Sequence, residues 1–328
     1  MISNELTTLL GIDHPIISAP MGGVSGSSLT KAVSQAGGLG LVGVSYGDAN
    51  FIEHNVAPLQ DLTNPWGVGC VMFTFAERPE LWKKVLDYAP PVIALSFGDA
   101  HQVGYFVHSA ANTGAKVVVQ VHDVEQAIIA KDAGASVLVA QGAEAGGHHK
   151  TQATLPLIPA VVDAIEHQVP VVAAGGFADG RGLAAALSLG ASGIMMGTRF
   201  ALSQESLATP AFTSSLLNAT APELRNTRSF DVVRGIPWDE VYTARSVTND
   251  FVQQWTGRDE ELAQARAAIE PAWTKAVQED DANQRALFAG EVIDLITEVE
   301  PAGAIINSTV QEAIQTLELL NRTIAIRV

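Results

Sequence analysis

The 328-residue sequence has few of the features that mark secreted or membrane proteins. It contains one cysteine, Cys70, which excludes an intramolecular disulfide and a cysteine-based metal site. No run of residues approaches the roughly 18 apolar positions of a membrane span. The first fifteen residues also lack the basic start and the apolar core of a signal peptide. We therefore expect a cytoplasmic protein that has no membrane partner.

Basic residues are also scarce. The sequence has 19 Lys and Arg against 35 Asp and Glu, which gives a formal net charge of −16. The electrostatic field of a protein with this net charge repels nucleic acid and anionic membranes. A small anionic substrate responds to local groups and is not excluded. Charged residues make up only 16% of the chain and hydrophobic residues make up 47%. This composition predicts a large buried core and excludes disorder as the main state.

Short apolar runs recur along the first 197 residues, and each run is apolar at both odd and even positions. This pattern is typical of parallel strands that are covered on both faces. The predicted strands are Ile16–Ala19, Leu39–Val42, Val68–Val71, Val92–Leu95, Val117–Val119, Val137–Val139, Val171–Ala173 and Gly193–Met196. Helical patterns lie between most of them, as at Leu29–Ala36, Pro79–Tyr88, Val124–Ala133 and Leu183–Leu189.

Three segments repeat one unit, which is a helix end, a glycine, a buried strand and a second glycine. They are Ala32–Gly43, Ala130–Gly142 and Ala186–Gly197. About eight strands in such units favour an α/β fold of the (β/α)8, or TIM, barrel type. An open doubly wound sheet usually has fewer strands and an early Gly-x-Gly-x-x-Gly motif, which does not follow the first strand here.

The sequence changes character after residue 205. Strand patterns disappear from Ser246 onward. Helical patterns of mixed charge replace them, over Asp259–Ile269, Pro271–Glu279 and Asn283–Thr297. The apolar spacing of Ser308–Leu320 predicts a final helix. We predict a barrel formed by residues 1–205 and 305–328, with residues 206–304 as a smaller helical domain on the substrate side.

Two glycine-rich segments follow the seventh and eighth predicted strands. Loops at these two positions of a barrel commonly bind a phosphate through backbone N–H groups and a helix N-terminus. Gly175, Gly176 and Gly197 let the backbone approach an anion closely, and Thr198 can add a hydroxyl group. Each segment alone is equally well explained by a tight turn, but the pair at these two strands favours phosphate binding.

A glycine-rich loop, Gln141–Lys150, directly follows the sixth predicted strand and contains two adjacent histidines. Because barrel active sites lie at the carboxyl ends of the strands, the imidazole of His148 is suited to proton chemistry near neutral pH. We predict no metal at His148 and His149, since adjacent histidines rarely bind one ion together and no carboxylate lies at a familiar ligand spacing. A surface pair of histidines without a role is the other alternative.

The first predicted strand leads into Ala19-Pro20-Met21. Backbone amides in this segment can bond to the edge of a flat heteroaromatic ring, and Met21 can pack on its face. Taken by itself, the segment is more simply explained by a buried methionine beside a turn. The six other histidines of the chain, among them His122, have no partner pattern, and we expect most of them at the surface or as helix caps.

Together these motifs resemble those of the nitronate monooxygenase family, formerly called 2-nitropropane dioxygenases. The resemblance spans nearly the whole chain and is carried by Pro15–Gly23, Ala36–Gly40, Gln141–His148, Ala173–Arg199 and Gly290–Ile296. The resemblance implies an FMN-dependent (β/α)8 protein with a helical second domain, in which the barrel binds FMN.

The resemblance also implies site residues. Those expected to bind the cofactor are Ala19, Pro20 and Met21 along the flavin, Gln120 and Gln141 beside it, Gly146 and Gly147 in the loop before the histidine, and Gly175, Gly176, Gly197 and Thr198 at the phosphate. His148 matches the family's catalytic histidine. Two departures concern Gly69, where the family usually has an asparagine that helps to hold FMN, and His149-Lys150, where a small or basic residue and a glycine are usual.

The implied reaction is the oxidation of alkyl nitronates such as propionate 3-nitronate, and of nitroalkanes, by O2 to a carbonyl compound and nitrite. His148 would act as the base for a neutral nitroalkane or as an electrostatic partner of the nitronate.

Two other functions remain open at this point. The first is an NAD(P)H-dependent flavin reductase, since enoyl-ACP reductases and a quinone reductase branch share the Gly-Gly-His and Ala-Asp-Gly-Arg motifs. The segment that begins at Ala19 favours the monooxygenase over this alternative. A non-enzymatic protein that binds flavin or phosphate is the second, and Gly69 and Lys150 permit it.

Overall fold

The computed structural model of the chain describes residues 2–323, and its centre is a sheet of eight parallel strands. All strands of the chain are numbered in chain order, and β7 (Gly147–His149) belongs to a second sheet described below. The eight parallel strands are β1 (Ile16–Ser18), β2 (Gly40–Ser45), β3 (Trp66–Val71), β4 (Val92–Ser96), β5 (Lys116–Val121), β6 (Val137–Gln141), β8 (Val171–Ala174) and β9 (Gly193–Met196). Their spatial order is β1-β9-β8-β6-β5-β4-β3-β2, and a parallel bridge between Ile17 and Leu39 joins its two ends. The sheet is a nearly closed TIM barrel, which confirms the predicted fold class.

Neighbouring residues of a strand belong to two different apolar layers. Val118 of β5 and Val139 of β6 lie in an inner cluster within the barrel. Val117 and Val119 lie in the outer cluster, between the strands and the surrounding helices. Because both faces of each strand are covered, the strands have apolar residues at both odd and even positions. The first helix, α1 (Glu5–Leu10), contributes further apolar side chains to the inner cluster.

Helices surround the barrel and alternate with its strands. They are α2 (Ser27–Gln35), α3 (Ala49–Val56), α4 (Met72–Ala76), α5 (Pro79–Asp87), α6 (Ala100–Ala111), α7 (Val124–Asp132), α8 (Thr154–Ala164), α9 (Gly180–Ser188) and α10 (Thr198–Ala201). The four helices predicted between the strands correspond to α2, α5, α7 and α9, with ends that differ by a few residues. Within residues 2–323 no helix has the length and apolar character needed to cross a membrane.

The helices of the second region, residues 206–304, depart from their prediction in two places. They are α11 (Pro210–Asn218), α12 (Ser229–Arg234), α13 (Asp250–Trp255) and α14 (Asp259–Gln278). Pro271 lies inside α14, so the two helices predicted on either side of it are one helix. The helix predicted over Asn283–Thr297 is wrong, since its only regular element is the 3-10 helix Glu291–Leu295. Short 3-10 helices also span Ala57–Leu59 and Ala221–Glu223.

A small antiparallel sheet joins the second region to the barrel. It consists of β7 (Gly147–His149), β10 (Leu224–Thr227) and β11 (Thr243–Val247), with β11 in the centre. His148 is paired with Ala244 across this sheet. The prediction of a helical region missed β10 and β11, because both are short and neither contains an apolar run or a regular apolar–polar alternation. The glycine-rich loop after β6 is therefore fixed by the second region.

The last helix, α15 (Ala302–Thr323), packs against α9 and α2. A carboxylate oxygen of Glu312 accepts the N–H of Gly180 at 2.8 Å. A Cβ atom at Gly180 would lie 2.2 Å from the backbone nitrogen of Ala313, so only glycine allows this approach. The final helix thus lies in the outer layer of the barrel, and the chain of the second region runs between β9 and this helix.

Candidate active site

A cavity of about 520 Å³ lies at the carboxyl ends of the barrel strands. Every residue predicted to form the site lines this cavity: Ala19, Pro20, Met21, Gln120, Gln141, Gly146, Gly147, His148, Gly175, Gly176, Gly197 and Thr198. The structure therefore brings together side chains and backbone from loops that are far apart in the sequence. A site at this end of the strands is the usual arrangement of a TIM-barrel enzyme.

The two loops after β8 and β9 present unpaired backbone N–H groups. Within residues 2–323, the N–H groups of Gly175, Gly176, Gly197 and Thr198 have no hydrogen-bond partner. Gly175 and Gly176 have φ values of 98° and 85°, which favour glycine. The Thr198 hydroxyl accepts the N–H of Gly290 at 2.9 Å, so its own proton is available to an acceptor. These groups form an uncharged cradle that fits a phosphate.

Asp179 and Arg181 follow Gly175 and Gly176 in the sequence but have a different role. The Asp179 side chain accepts the N–H groups of Arg181 and Gly182 and so caps α9. Arg181 forms an ion pair with Asp179 and lies close to Glu312 of the last helix. These two residues therefore support the start of the helix and lie outside the cavity lining.

His148 is buried in the cavity wall. Its Nε2 lies 2.8 Å from Oδ2 of Asp231, and its ring stacks on Trp238 with 3.5 Å between the ring centroids and 7° between the planes. Burial lowers the pKa of His148, while Asp231 opposes this change. A buried imidazole that is neutral near pH 7 can accept a proton from a bound substrate.

His149 points to the other side of the short strand β7. Its Nδ1 lies 2.6 Å from the carbonyl oxygen of Lys150, and its Nε2 lies 3.2 Å from Oδ1 of Asn226. His149 is buried but does not line the cavity. Of the two adjacent histidines, only His148 is placed to meet a ligand there.

The sequence profile of the nitronate monooxygenase family matches residues 3–84 and 71–312. The chain belongs to the nitronate monooxygenase family. A probable nitronate monooxygenase of Staphylococcus saprophyticus is 29% identical to it over 98% of this chain and 99% of the relative. The family makes the chain an oxidoreductase related to enzymes that oxidise nitronates.

Two solved structures are similar to this chain over nearly its whole length. FabK from Thermotoga maritima has a TM-score of 0.85 and 28% identity, covering 99% of this chain and 100% of FabK. A nitroalkane oxidase from Streptomyces ansochromogenes has a TM-score of 0.78 and 27% identity, covering 96% of this chain and 100% of the oxidase. The similarity therefore includes the second region as well as the barrel.

Gly69 departs from the nitronate monooxygenase family pattern, and the structure explains why a residue without a side chain is present there. A Cβ atom at this position would lie 2.2 Å and 2.3 Å from Cβ and Cγ of Pro20. The ring of Pro20 thus fills the space in front of β3 where an asparagine side chain would begin. A ligand at this wall meets the proline ring instead of an amide.

The backbone of the first loop is less available than predicted. The N–H of Ala19 donates to the carbonyl of Met196 at 2.9 Å, and the N–H of Met21 donates to the carbonyl of Ala19 at 3.0 Å. Pro20 has no N–H group. The N–H groups of Ala19 and Met21 are therefore not free to bond to a ring edge, because the first bonds to strand β9 and the second bonds within the turn of the loop.

Lys150, the other departure from the family pattern, also lies outside the lining of this cavity. Its ammonium group is 2.8 Å from a carboxylate oxygen of Asp123 and 5.6 Å from the ring centre of Tyr242. The departures at His149 and Lys150 thus change the packing behind the strand and leave the cavity wall formed by His148 as it is.

Gln120 and Gln141 belong to a buried network with His122. Nε2 of Gln120 donates to Oε1 of Gln141 at 2.9 Å, and Nε2 of His122 lies between the two amides. Nδ1 of His122 lies 3.1 Å from Oε1 of Gln126. Burial lowers the pKa of His122 to about 4, so the ring is neutral near pH 7. His122 is thus an exception among the six other histidines, most of which we expect at the surface or as helix caps, because the amides of three glutamines satisfy its ring inside the protein.

Acid is expected to destabilise the protein through His122. Its folded pKa of about 4 is below its ordinary value of 6.5, so the unfolded chain binds more protons between these values. The free energy of unfolding therefore falls as the pH is lowered from 6.5 to 4, by about 3 kcal/mol from this residue. Urea unfolding across this range should show a shallower pH dependence for His122→Gln than for the unmodified protein.

The control for this experiment is His54→Gln, because His54 is exposed on α3 and its Nδ1 lies 2.7 Å from the carbonyl oxygen of Asn50. This variant should retain the full pH dependence of stability. Equal pH dependence in His122→Gln and the unmodified protein would show that the buried ring does not carry the effect.

The sequence did not reveal several other residues of the cavity wall. They are Tyr46, Phe97, Arg234, Trp238 and Phe288, which lie near His148, together with Asp231 behind it. Ser45 and Phe97 have positive φ values of 47° and 56° although neither is glycine. Such strained backbone is common at functional sites, but it leaves no mark in a single sequence. Trp238 belongs to a Gly-Ile-Pro-Trp segment that matched no motif.

Proposed function

We propose that the chain binds FMN and oxidises alkyl nitronates with O2 to a carbonyl compound and nitrite. The observation that carries the proposal is the combination, in one cavity, of an unpaired N–H cradle and a buried histidine at a barrel's active end. Membership of the nitronate monooxygenase family supports the same reaction class.

The residues of the cavity fit FMN in two respects. Gly175, Gly176, Gly197 and Thr198 offer N–H groups and one hydroxyl to a single phosphate, and within residues 2–323 these N–H groups have no competing protein acceptor. Glycine at position 197 also keeps a side chain out of the cavity wall, where a Cβ atom would lie 3.6 Å and 3.7 Å from side-chain atoms of Ala19 and Met21, which line the same cavity. When bound, FMN would supply the electron acceptor and the reaction with O2.

The protein's own groups would prepare the substrate. The unprotonated ring nitrogen of His148 would take the α-proton of a neutral nitroalkane, which converts it to the nitronate. A preformed nitronate needs no such step. The aromatic wall of Trp238, Phe97 and Phe288 excludes water and so strengthens electrostatic interactions with the anion.

Purified protein is expected to release FMN on heating, and its flavin absorption should bleach when propionate 3-nitronate is added without oxygen. One phosphate cradle predicts the mononucleotide, because a dinucleotide fingerprint is absent from the first strand–helix unit. Mass measurement of the released flavin checks the cofactor. An adenine-containing flavin would contradict the assignment, and bleaching by NADH but not by the nitronate would establish the reductase instead.

A further inference from the structure

We propose that Asp231, from the second region, is the positioning residue of His148. It selects the tautomer that carries hydrogen on Nε2, and it thereby leaves Nδ1 as the proton acceptor. This inference rests on the proposed function for the role of His148 as a base. The tautomer itself is a property of the protein that can be measured without turnover.

Both oxygens of the Asp231 carboxylate have a partner. Oδ2 lies 2.8 Å from Nε2 of His148, and Oδ1 lies 2.9 Å from Nη2 of Arg234. Asp231 is only 2% exposed. A carboxylate at such a depth is costly unless it is paired and hydrogen-bonded, so these two contacts explain how α12 can carry it there.

The hydrogen bond to Asp231 determines the tautomer. A carboxylate has only acceptors, so His148 must place its single ring hydrogen on Nε2 for this bond to form. Nδ1 then carries the lone pair. Within residues 2–323, Nδ1 of His148 has no hydrogen-bond partner, and the residue lines the cavity. The lone pair is therefore free to act on a ligand.

Aromatic contacts fix the plane of the same ring. Trp238 stacks on one face, and the rings of Phe97 and Phe288 contact it edge-on at centroid distances of 6.2 Å and 6.0 Å. The pairing of β7 with β11 holds the backbone of His148. Packing thus restricts the ring, but packing alone does not distinguish Nδ1 from Nε2, and Asp231 supplies that distinction.

Arg234 holds the carboxylate in place. Its Nε donates to the carbonyl of Phe230 at 2.8 Å, and its guanidinium carbon lies 5.3 Å from the ring centre of Tyr46. The charged and titratable groups that act on His148 are thus Asp231 and Arg234 from α12 and His149 from its own strand. After proton transfer, Asp231 is the group that stabilises the imidazolium, as the carboxylate of a hydrolase triad does.

The test is nitrogen-15 NMR of the flavin-loaded protein with labelled histidine rings, with His148 assigned by its loss in His148→Asn. The unmodified protein should show hydrogen on Nε2 and none on Nδ1. In Asp231→Asn, whose amide can donate to Nε2, the Nδ1–H form should appear. Turnover of a neutral nitroalkane should fall about 10²- to 10⁴-fold with the flavin spectrum unchanged, and turnover of a preformed nitronate should fall less.

Asp280→Asn is the matched control. Asp280 is a second carboxylate of the same region that pairs with an arginine, Arg285, and it has no contact with His148. This variant should leave the His148 tautomer unchanged. Hydrogen on Nδ1 in the unmodified protein would overturn the proposal, and this measurement needs no variant to fold. If the tautomer is as expected but His148→Asn retains full activity, the role of His148 fails while the positioning by Asp231 stands.

Discussion

Replacing His148 by asparagine is expected to lower turnover of a neutral nitroalkane by about 10²- to 10⁴-fold, the usual range for a lost general base. The flavin absorption should stay intact, because the N–H cradle lies on the loops after β8 and β9. Turnover of a preformed nitronate should fall less, since its proton has already been removed. Steady-state kinetics with the two forms of one substrate measure this difference.

His149→Asn is the control, because His149 is the next residue and bonds on the other side of the strand. It should have little effect on either substrate. Equal losses on both substrates in His148→Asn would mean that His148 positions the anion and does not take a proton. A selective loss in His149→Asn, with His148→Asn silent, would show that the assignment of the base is wrong.

Gly197→Asp is expected to abolish flavin binding. A carboxylate there would face the phosphate, and two unit charges about 4 Å apart repel by about 4 kcal/mol at an effective dielectric constant near 20. That repulsion alone weakens binding about 10³-fold. The first added atom meets only ordinary contacts, at 3.6 Å and 3.7 Å, so the barrel should fold. Absorption at the flavin band and circular dichroism measure the two outcomes separately.

Gly104→Asp is the matched control, because a Cβ atom at Gly104 has open space on α6 and the residue does not line the cavity. It adds the same charge and should leave the protein fully yellow. Gly176→Asp should also lose flavin, but its φ of 85° adds backbone strain, so Gly197 gives the clearer result. A folded Gly197→Asp protein with full flavin content would contradict the phosphate site.

The barrel was predictable from sequence because its signals are local. A strand such as Val137–Gln141 is covered on both faces over its first four residues, and those four residues are all apolar, so the pattern can be recognised without knowing the strand's partners. Strand β10 has the sequence Leu-Arg-Asn-Thr and exists because β11 pairs with it. No apolar run in the sequence indicates such a strand, and the prediction of a helical second region failed there.

The residues of the candidate site also differ in how well the sequence predicts them. His148 and the glycines after β8 and β9 belong to compact motifs, so the sequence was sufficient to place them together. Asp231 is 83 positions from His148, and its contact with the imidazole depends on the fold of the second region. The burial of His122 could not be predicted, because its partners are the neutral amides of Gln120, Gln141 and Gln126, which form no recognisable sequence pattern.

The antiparallel sheet that holds His148 limits how this chain can be recombined with a relative. The loop after β6 and strand β11 form consecutive backbone pairs, and Asp231 and Trp238 contact the same histidine. A chimaera that exchanges residues 206–304 for those of a relative would separate His148, the proposed base, from the residues proposed to orient it. The smallest segment that can be exchanged intact is therefore discontinuous in the gene, and it includes the loop before His148 together with the whole second region.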